Sequence, residues 1–279
     1  MNTKKVWFIT GASKGLGLSL AKKLLENGYK VAATSRKSKS LIDAVGNFDE
    51  QQFLPLEVDL TSEKSISKAV EKAIAHFGKI DVLVNNAGYG IGGAVEELNQ
   101  REIKDSFDIN VLAVIKTMQS VMSYFRDQKS GNIINISSIA GLAPGIGWAM
   151  YAATKYAVMG ISEVMAEDVK EFGVKVTVVA PGAFRTEFLQ DSSLVFAKEK
   201  IEGYNAIRTS HEKYTTMNGT QIGNPEKLAL VLIDLAENPN PPVRIYVGSD
   251  AYTRAKEKIR LLSEELERNK DISYSTDFN

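Results

Sequence analysis

Two pentapeptides in this chain place a phenol and an ammonium one helical turn apart: residues 151–155 read YAATK, and residues 252–256 read YTRAK. On a helix, side chains at i and i+4 share a face, so either pair could trade a proton with a reacting oxygen. A free tyrosine titrates near pH 10, which suits acid–base work at neutral pH poorly. A lysine charge ~5 Å away, at an effective dielectric of ~20, favours the phenolate by ~3 kcal/mol, or ~2 pKa units. What precedes each pair separates them. Tyr151 follows the apolar run NIINIS, which ends at Ser137 with Ser138 beside it, and a serine hydroxyl there could donate to developing oxyanion charge. The residue thirteen before Tyr252 is Pro239, and the stretch around that second pair is charged. With ten tyrosines in the chain, one YxxxK is expected by chance. The first pair reads as chemistry and the second as surface.

The elements around these residues alternate. VWFIT (6–10), KVAAT (30–34), FLPLEV (53–58), DVLVN (81–85), NIINIS (132–137), VKVTVVA (174–180) and VRIYV (243–247) read as strands. Their nearly continuous apolar content fits strands buried on both faces, as in a parallel sheet. Helical patterns fall at about 15–27, 62–77, 99–127, 151–172 and 225–237, with a weaker one at 38–46. The alternation predicts right-handed crossovers and an α/β, Rossmann-type, doubly wound parallel sheet of seven strands, with helices on both faces. Tyr151 then starts a helix at the carboxyl edge of the sheet, where open α/β sheets bind ligands. Two segments stand outside the pattern. Residues 187–222 form an insertion, and AYTRAKEKIRLLSEELERNK reads as an added amphipathic helix with a frayed end.

After the first strand comes TGASKGLG, with Gly11, Gly15 and Gly17, leading directly into a helix. Glycines here allow a tight turn and close approach of backbone to a pyrophosphate, and the helix N-terminus offers free N–H groups to it. A plain strand-to-helix turn is the bland alternative; the position after an N-terminal strand favours a dinucleotide. At the end of the second strand, an acid would select NAD(H) by bonding the ribose hydroxyl. Here the stretch is ATSRKSK, with Ser35 and Arg36 at that point, and Lys14 adds a cation inside the glycine-rich turn. Arg36 and Lys14 could bracket a 2′-phosphate, so NADP(H) is favoured and NAD(H) stays possible. A solvated basic surface is the competing explanation.

Composition narrows the field. Lys+Arg and Asp+Glu are both 34 in 279 residues, giving no electrostatic case for a nucleic-acid or anionic-membrane partner. Absence of cysteine removes disulfides and thiolate chemistry, and two histidines are too few for a convincing metal site. No apolar run is long enough for a signal or a membrane span, so a cytoplasmic protein is expected.

TGASKGLG, NNAG at 85–88, Asn110, NISS at 135–138, YAATK and PGAFRT at 181–186 stand in the order and spacing of the short-chain dehydrogenases/reductases. The chain resembles that family over residues 5 to about 250, in particular the single-domain 17β-hydroxysteroid-dehydrogenase-like and carbonyl-reductase-like members. The resemblance implies that Ser138 bonds the reacting oxygen, Tyr151 is the general acid/base, and Lys155 binds nicotinamide ribose. It implies that Asn110 supports a water relay beyond Lys155. The cofactor would rest on Gly11, Ser13, Lys14, Gly15, Leu16 and Gly17, on Ser35 and Arg36, and on Asp59 and Leu60 at the adenine. Asn86, Ala87 and Gly88 would stabilise the sheet core and the adenosine side. Pro181, Gly182, Phe184 and Thr186 would lie at the nicotinamide, where Phe184 replaces the aliphatic residue of many members. Homodimers or homotetramers through the 99–127 and 151–172 helices are implied as well.

The expected organisation is one dinucleotide-binding and catalytic domain over 1–249, with 187–222 as a substrate lid, and a helix and tail over 250–279. Phe188, Leu189, Leu194, Val195 and Phe196 could line the lid, although their spacing suits core packing equally. An apolar lid excludes water and favours a small, uncharged, hydrophobic carbonyl or alcohol. Trp148 and Met150 are either core or pocket wall. His76 is expected to meet the last carbonyls of its helix, and His211 is unassigned. The reading is an NADP(H)-dependent oxidoreductase interconverting a ketone or aldehyde and an alcohol. A non-catalytic nucleotide-sensing module and an epimerase or dehydratase with retained nicotinamide are the rivals. The sensor has no need of Ser138, Tyr151, Lys155 and Asn110, and the second rival usually needs a larger C-terminal domain.

Overall fold

A computed structural model describes residues 4–191 and 193–278. Ser192 of the expected lid and the extreme ends of the expected segments lie outside the described residues. The strands are β1 (Val6–Ile9), β2 (Lys30–Ser35), β3 (Phe53–Glu57), β4 (Val82–Asn85), β5 (Gly90–Gly92), β6 (Gly131–Ile136), β7 (Val174–Pro181), β8 (Leu194–Phe196) and β9 (Arg244–Val247). Helices are α1 (Gly15–Glu26), α2 (Ser38–Val45), α3 (Glu63–Phe77), α4 (Gln100–Phe107), α5 (Ala113–Gln128), α6 (Ala149–Asp168), α7 (Asn205–Thr216), α8 (Pro225–Glu237), α9 (Ser249–Arg268) and α10 (Lys270–Tyr274).

Seven strands form one parallel sheet in the order β3-β2-β1-β4-β6-β7-β9. The period-2 rule of a strand explains the two cores. On β1, Val6 and Phe8 face α3, α5 and α6, while Trp7 and Ile9 face α1, α2 and α8. All four are essentially inaccessible, which is why the run is apolar throughout rather than alternating. The chain leaves β1 toward β2 on one side and resumes at β4 on the other. A crevice therefore opens at the carboxyl ends of β1 and β4.

Helix ends follow local chemistry. Asn99 and Glu102 close a reciprocal capping box on α4, and Asn224 caps α8 ahead of Pro225. Three features depart from the expected elements. The segment 99–127 is not one regular helix: a π-turn at Asp108–Leu112 separates α4 from α5. Its distortion is compensated by the inward side chain of Asn110, which binds the backbone of Tyr89 through Oδ1 (from Tyr89 N, 3.0 Å) and Nδ2 (to Tyr89 O, 2.9 Å). The insertion contains β8, which pairs in parallel with β5 as a separate two-stranded sheet, and α7. His76 bonds the Glu50 carbonyl at 3.2 Å rather than its own helix's carbonyls, because the loop before β3 reaches it first.

After Gly248 the chain enters α9 directly. Ala251 and Ala255 are buried against Ile139, and Arg254 donates to the Ala143 carbonyl. Among the described residues, no helix is long and apolar enough to cross a membrane.

Candidate active site

The glycine-rich turn is shaped by close contacts with the β4 loop. Gly11 has φ +67°, and a Cβ there would stand 2.8 Å from Ala87 Cα. A Cβ on Gly17 would strike the Asn86 amide and come within 2.7 Å of Gly11 O. The two segments are clamped together by Asn86, which donates through Nδ2 to Thr10 O (3.0 Å) and Gly11 O (2.9 Å). In return, Thr10 Oγ1 accepts from the amides of Asn86 (3.0 Å) and Ala87 (3.1 Å). Below them, Asn85, Asn135 and Ser162 form a buried hydrogen-bonded chain.

The start of α1 has the chemistry of an anion site. Gly15 N donates to Glu187 Oε2 at 3.1 Å, so a carboxylate already sits at the positive end of the helix dipole. This contact and the glycine cradle fit a dinucleotide pyrophosphate. Ser13 is half-buried within the turn, and Leu16 packs against the core below α1. Lys14 is held below the ordinary lysine range, first by burial and then by the charge of Arg36, with Glu187 opposing. Two cations therefore share the edge of the crevice. Arg36 is exposed, whereas Ser35 is buried and its hydroxyl donates to Lys37 O at 2.6 Å. Asp59 is exposed, and its carboxylate accepts Thr61 Oγ1 (2.7 Å) and Thr61 N (2.9 Å), which hold its pKa down. Leu60 packs against the core on the α3 side.

On the opposite wall, Pro181 ends β7 and Gly182 lies against Asp250, whose Oδ2 accepts Ala183 N at 2.8 Å. Phe184 pairs with Gly223 and packs against the α8-side core. Thr186 caps the short turn after it, accepting Phe188 N at 3.3 Å, and stands beside Gly15.

Ser138, Tyr151 and Lys155 meet between these walls. Ser138 follows β6 and accepts Ala140 N at 3.1 Å. Tyr151 lies in the first turn of α6, and Lys155 lies one turn later with its Nζ 5.7 Å from the Tyr151 ring centre. The Lys155 ammonium is buried and donates to Ile136 O at 3.1 Å. Gly88 leaves room for it: a Cβ there would stand 3.0 Å from Asn110 Oδ1 and 3.4 Å from Lys155 Nζ. Asn110 also donates to Thr154 Oγ1 at 3.3 Å, tying the π-turn to α6.

The expected lowering of the Tyr151 pKa by Lys155 is not found. Burial pushes the phenol up to about 12, against a smaller opposing effect of its hydrogen bond with Ser138. Burial also brings Lys155 down to about 8. Withdrawal from water is the main cause of both shifts. At neutral pH the phenol stays protonated. The second pentapeptide plays no part here: Tyr252 is 63% exposed on α9.

Above the site lie the aromatic rings of the insertion. Phe188 is 6.1 Å from the Tyr151 ring, centre to centre. Trp148 is buried among Tyr214 (4.9 Å), His211 (5.0 Å) and Phe196 (6.0 Å). Leu194 is buried, whereas Val195 points outward and Leu189 is half-buried. His211 faces the Gly147 carbonyl through Nε2 at 3.1 Å, and burial lowers its pKa. The insertion is fastened by an ion pair between Arg208 and the fully buried Glu97, which also accepts the amides of Ala94 (2.8 Å) and Ile201 (2.8 Å). Sequence reasoning missed Tyr214, Glu187, Asp250 and the Glu97–Arg208 pair. Each works across more than 60 residues of chain, and none lies in a spacing that marks it.

Residues 5–194 match the family model of the short chain dehydrogenases. The chain is 34% identical over 273 residues to Oxidoreductase BOA17 of Botryotinia fuckeliana, covering 98% of this chain and 99% of that protein. It is 36% identical over 245 residues to a 3-ketodihydrosphingosine reductase of Bacteroides thetaiotaomicron, covering 88% of each. Among solved structures, a short-chain dehydrogenase from Streptomyces avermitilis superposes with a TM-score of 0.91 at 31% identity, over 99% of this chain and 100% of that one. With a family match across more than half its length, and a relative and a solved fold that span nearly all of it, this chain belongs to the short-chain dehydrogenase/reductase family of oxidoreductases.

Proposed function

We propose that this protein is an NADP(H)-dependent oxidoreductase interconverting an apolar ketone or aldehyde and its alcohol, with Tyr151 as general acid/base. The observation that carries the reading is the meeting of Ser138, Tyr151 and Lys155 at the carboxyl edge of the sheet, facing a glycine turn built for an anion.

When bound, the nicotinamide supplies the hydride in reduction and accepts it in oxidation. Gly11, Ser13, Gly15, Leu16 and Gly17 would hold the pyrophosphate side, Asp59 and Leu60 the adenine, and Pro181, Gly182, Phe184 and Thr186 the nicotinamide. Asn86, Ala87 and Gly88 keep the crevice open by holding β4 against the turn. Lys14 and Arg36 favour the 2′-phosphate form, and Ser35 offers no carboxylate to repel it.

In reduction, Tyr151 gives its proton to the carbonyl oxygen as that oxygen gains charge, and Ser138 donates a hydrogen bond to the same atom. The Lys155 ammonium offsets the charge left on the phenol. Asn110 keeps Thr154, and with it the first turn of α6, in place; the proton path beyond Lys155 would run along this buried polar edge. Phe188, Trp148 and Tyr214 form an aromatic wall that excludes water and favours an apolar substrate. The 3-ketodihydrosphingosine reductase among the relatives supports a carbonyl as the group reduced.

The test is a screen of apolar ketones, aldehydes and alcohols with NADPH and NADP⁺, followed at the nicotinamide absorbance. Turnover of an apolar carbonyl with NADPH is expected. A preference for NADH of tenfold or more would overturn the cofactor assignment, and turnover confined to charged substrates would overturn the pocket assignment.

A further inference from the structure

From Ile259 to Phe278 every described residue is exposed, so the second half of α9 projects beyond the body that buries Ala251 and Ala255. A helix of this length without tertiary contacts is marginal in water. This one nevertheless carries an apolar stripe. Ala255, Ile259, Leu262 and Leu266 follow one another at steps of four, three and four, the spacing of a coiled-coil seam. Ile259, Leu262 and Leu266 are 55%, 42% and 68% exposed.

We propose that this stripe is covered by the same helix of a second copy, running antiparallel about a two-fold axis. The stripe is complementary to itself in that direction. Setting Ile259 opposite the partner's Leu262 also sets Leu262 opposite the partner's Ile259. Leu266 then falls opposite the partner's Ala255, where that helix meets its own body. Two-fold contacts require this reciprocity. Charge selects the same orientation. Residues 254–260 carry four cations and one acid, whereas 261–267 carry three acids and no cation. Antiparallel packing lays the basic half on the acidic half, and parallel packing would set like on like. Arg260 is occupied within its own helix by Glu257 and Glu264. Lys258 and Glu265 form no ion pair among the described residues, and they flank the seam on one side. In the antiparallel register each Lys258 faces the partner's Glu265. A membrane surface fits less well, because residues 254–278 hold six cations and six acids and offer no net attraction to anionic lipid.

The chain has no cysteine, so Arg268→Cys in the full-length protein takes a single spin label. At 1.5 Å rise per residue, antiparallel packing in this register places the two labelled positions about 25 Å apart, against about 10 Å for parallel packing. The expected result is a distance near 25 Å by pulsed electron resonance. Leu262→Glu should abolish it and Lys258→Glu should weaken it, while Lys258→Glu with Glu265→Lys should restore it. These positions are on the projecting part of α9, so an unchanged melting temperature checks the fold. A dimer built on other surfaces would give no short distance and would overturn the proposal. So would a distance near 10 Å, a failed charge-swap rescue, or arms that stay apart while the protein floats with phosphatidylcholine vesicles.

Discussion

Replacing Arg36 by alanine isolates the cofactor assignment with little disturbance to the fold. Arg36 is exposed at the end of β2, and its charge helps hold Lys14 below the ordinary lysine range. The two cations therefore repel each other, and a 2′-phosphate between them would relieve that repulsion. A charge-assisted hydrogen bond contributes about 1.5–3 kcal/mol, and exposure places Arg36 in the lower half of that range. At about 1.4 kcal/mol per decade, Arg36→Ala should weaken NADPH binding roughly 10–30-fold. NADH has no 2′-phosphate, so its affinity should move by less than about twofold. Calorimetric titration of both cofactors reads this directly, and the NADPH loss should shrink as salt rises and screens the exposed charge. Lys14→Ala should show the same selectivity at smaller size. Ser35 is best left alone, because an aspartate there would set a carboxylate against the Lys37 carbonyl that the hydroxyl now serves. An equal fall for NADPH and NADH, or no fall for either, would refute the reasoning.

Glu187→Gln should tighten binding of both cofactors about two- to fivefold by calorimetry, because the carboxylate now on Gly15 N competes with a pyrophosphate for a helix N-terminus worth about 0.3–1 kcal/mol. Arg208→Ala should destabilise the protein by about 3 kcal/mol in urea unfolding, since it strips the main partner from the buried Glu97. Arg208 and the amides of Ile201 and Ala94 hold the Glu97 carboxyl down to about 2 from an ordinary 4.5. Its contribution is therefore full above pH 4.5 and is lost as pH falls toward 2, and the variant should show a weaker acid dependence over that window. Truncation after Lys258 keeps Asp250, Ala251, Arg254 and Ala255, so cofactor binding and melting temperature should hold. Stopping at Gly248 removes the Asp250 carboxylate from Ala183 N and should weaken cofactor binding.

Strands and helices of the main sheet were legible because each buries an apolar run between turn residues, and their bounds fall within a few residues of the pattern. The glycine turn was legible as a glycine-rich strand-to-helix turn, but what Gly11 and Gly17 make room for is the Asn86–Ala87 segment after β4, which no local spacing announces. Flanking residues alone separated the two YxxxK pairs, and the exposure of Tyr252 agrees. The β5–β8 sheet was not legible, since strands of three residues have no period to read. The π-turn was hidden because Asp108–Leu112 carries no glycine or proline to mark a break; what compensates it is Tyr89, which is distant in sequence. The Tyr151 pKa was misjudged because spacing reveals a neighbouring charge but not the depth at which both groups lie.

Turnover of Tyr151→Phe on a verified carbonyl substrate with NADPH tests the central claim most directly. Phenylalanine keeps the ring against Phe188 and removes the hydroxyl, with its proton and its bond to Ser138. The rate should fall at least ~100-fold while NADPH affinity stays within about twofold, and Tyr252→Phe should match the wild type. Near-wild-type turnover by Tyr151→Phe would contradict the account.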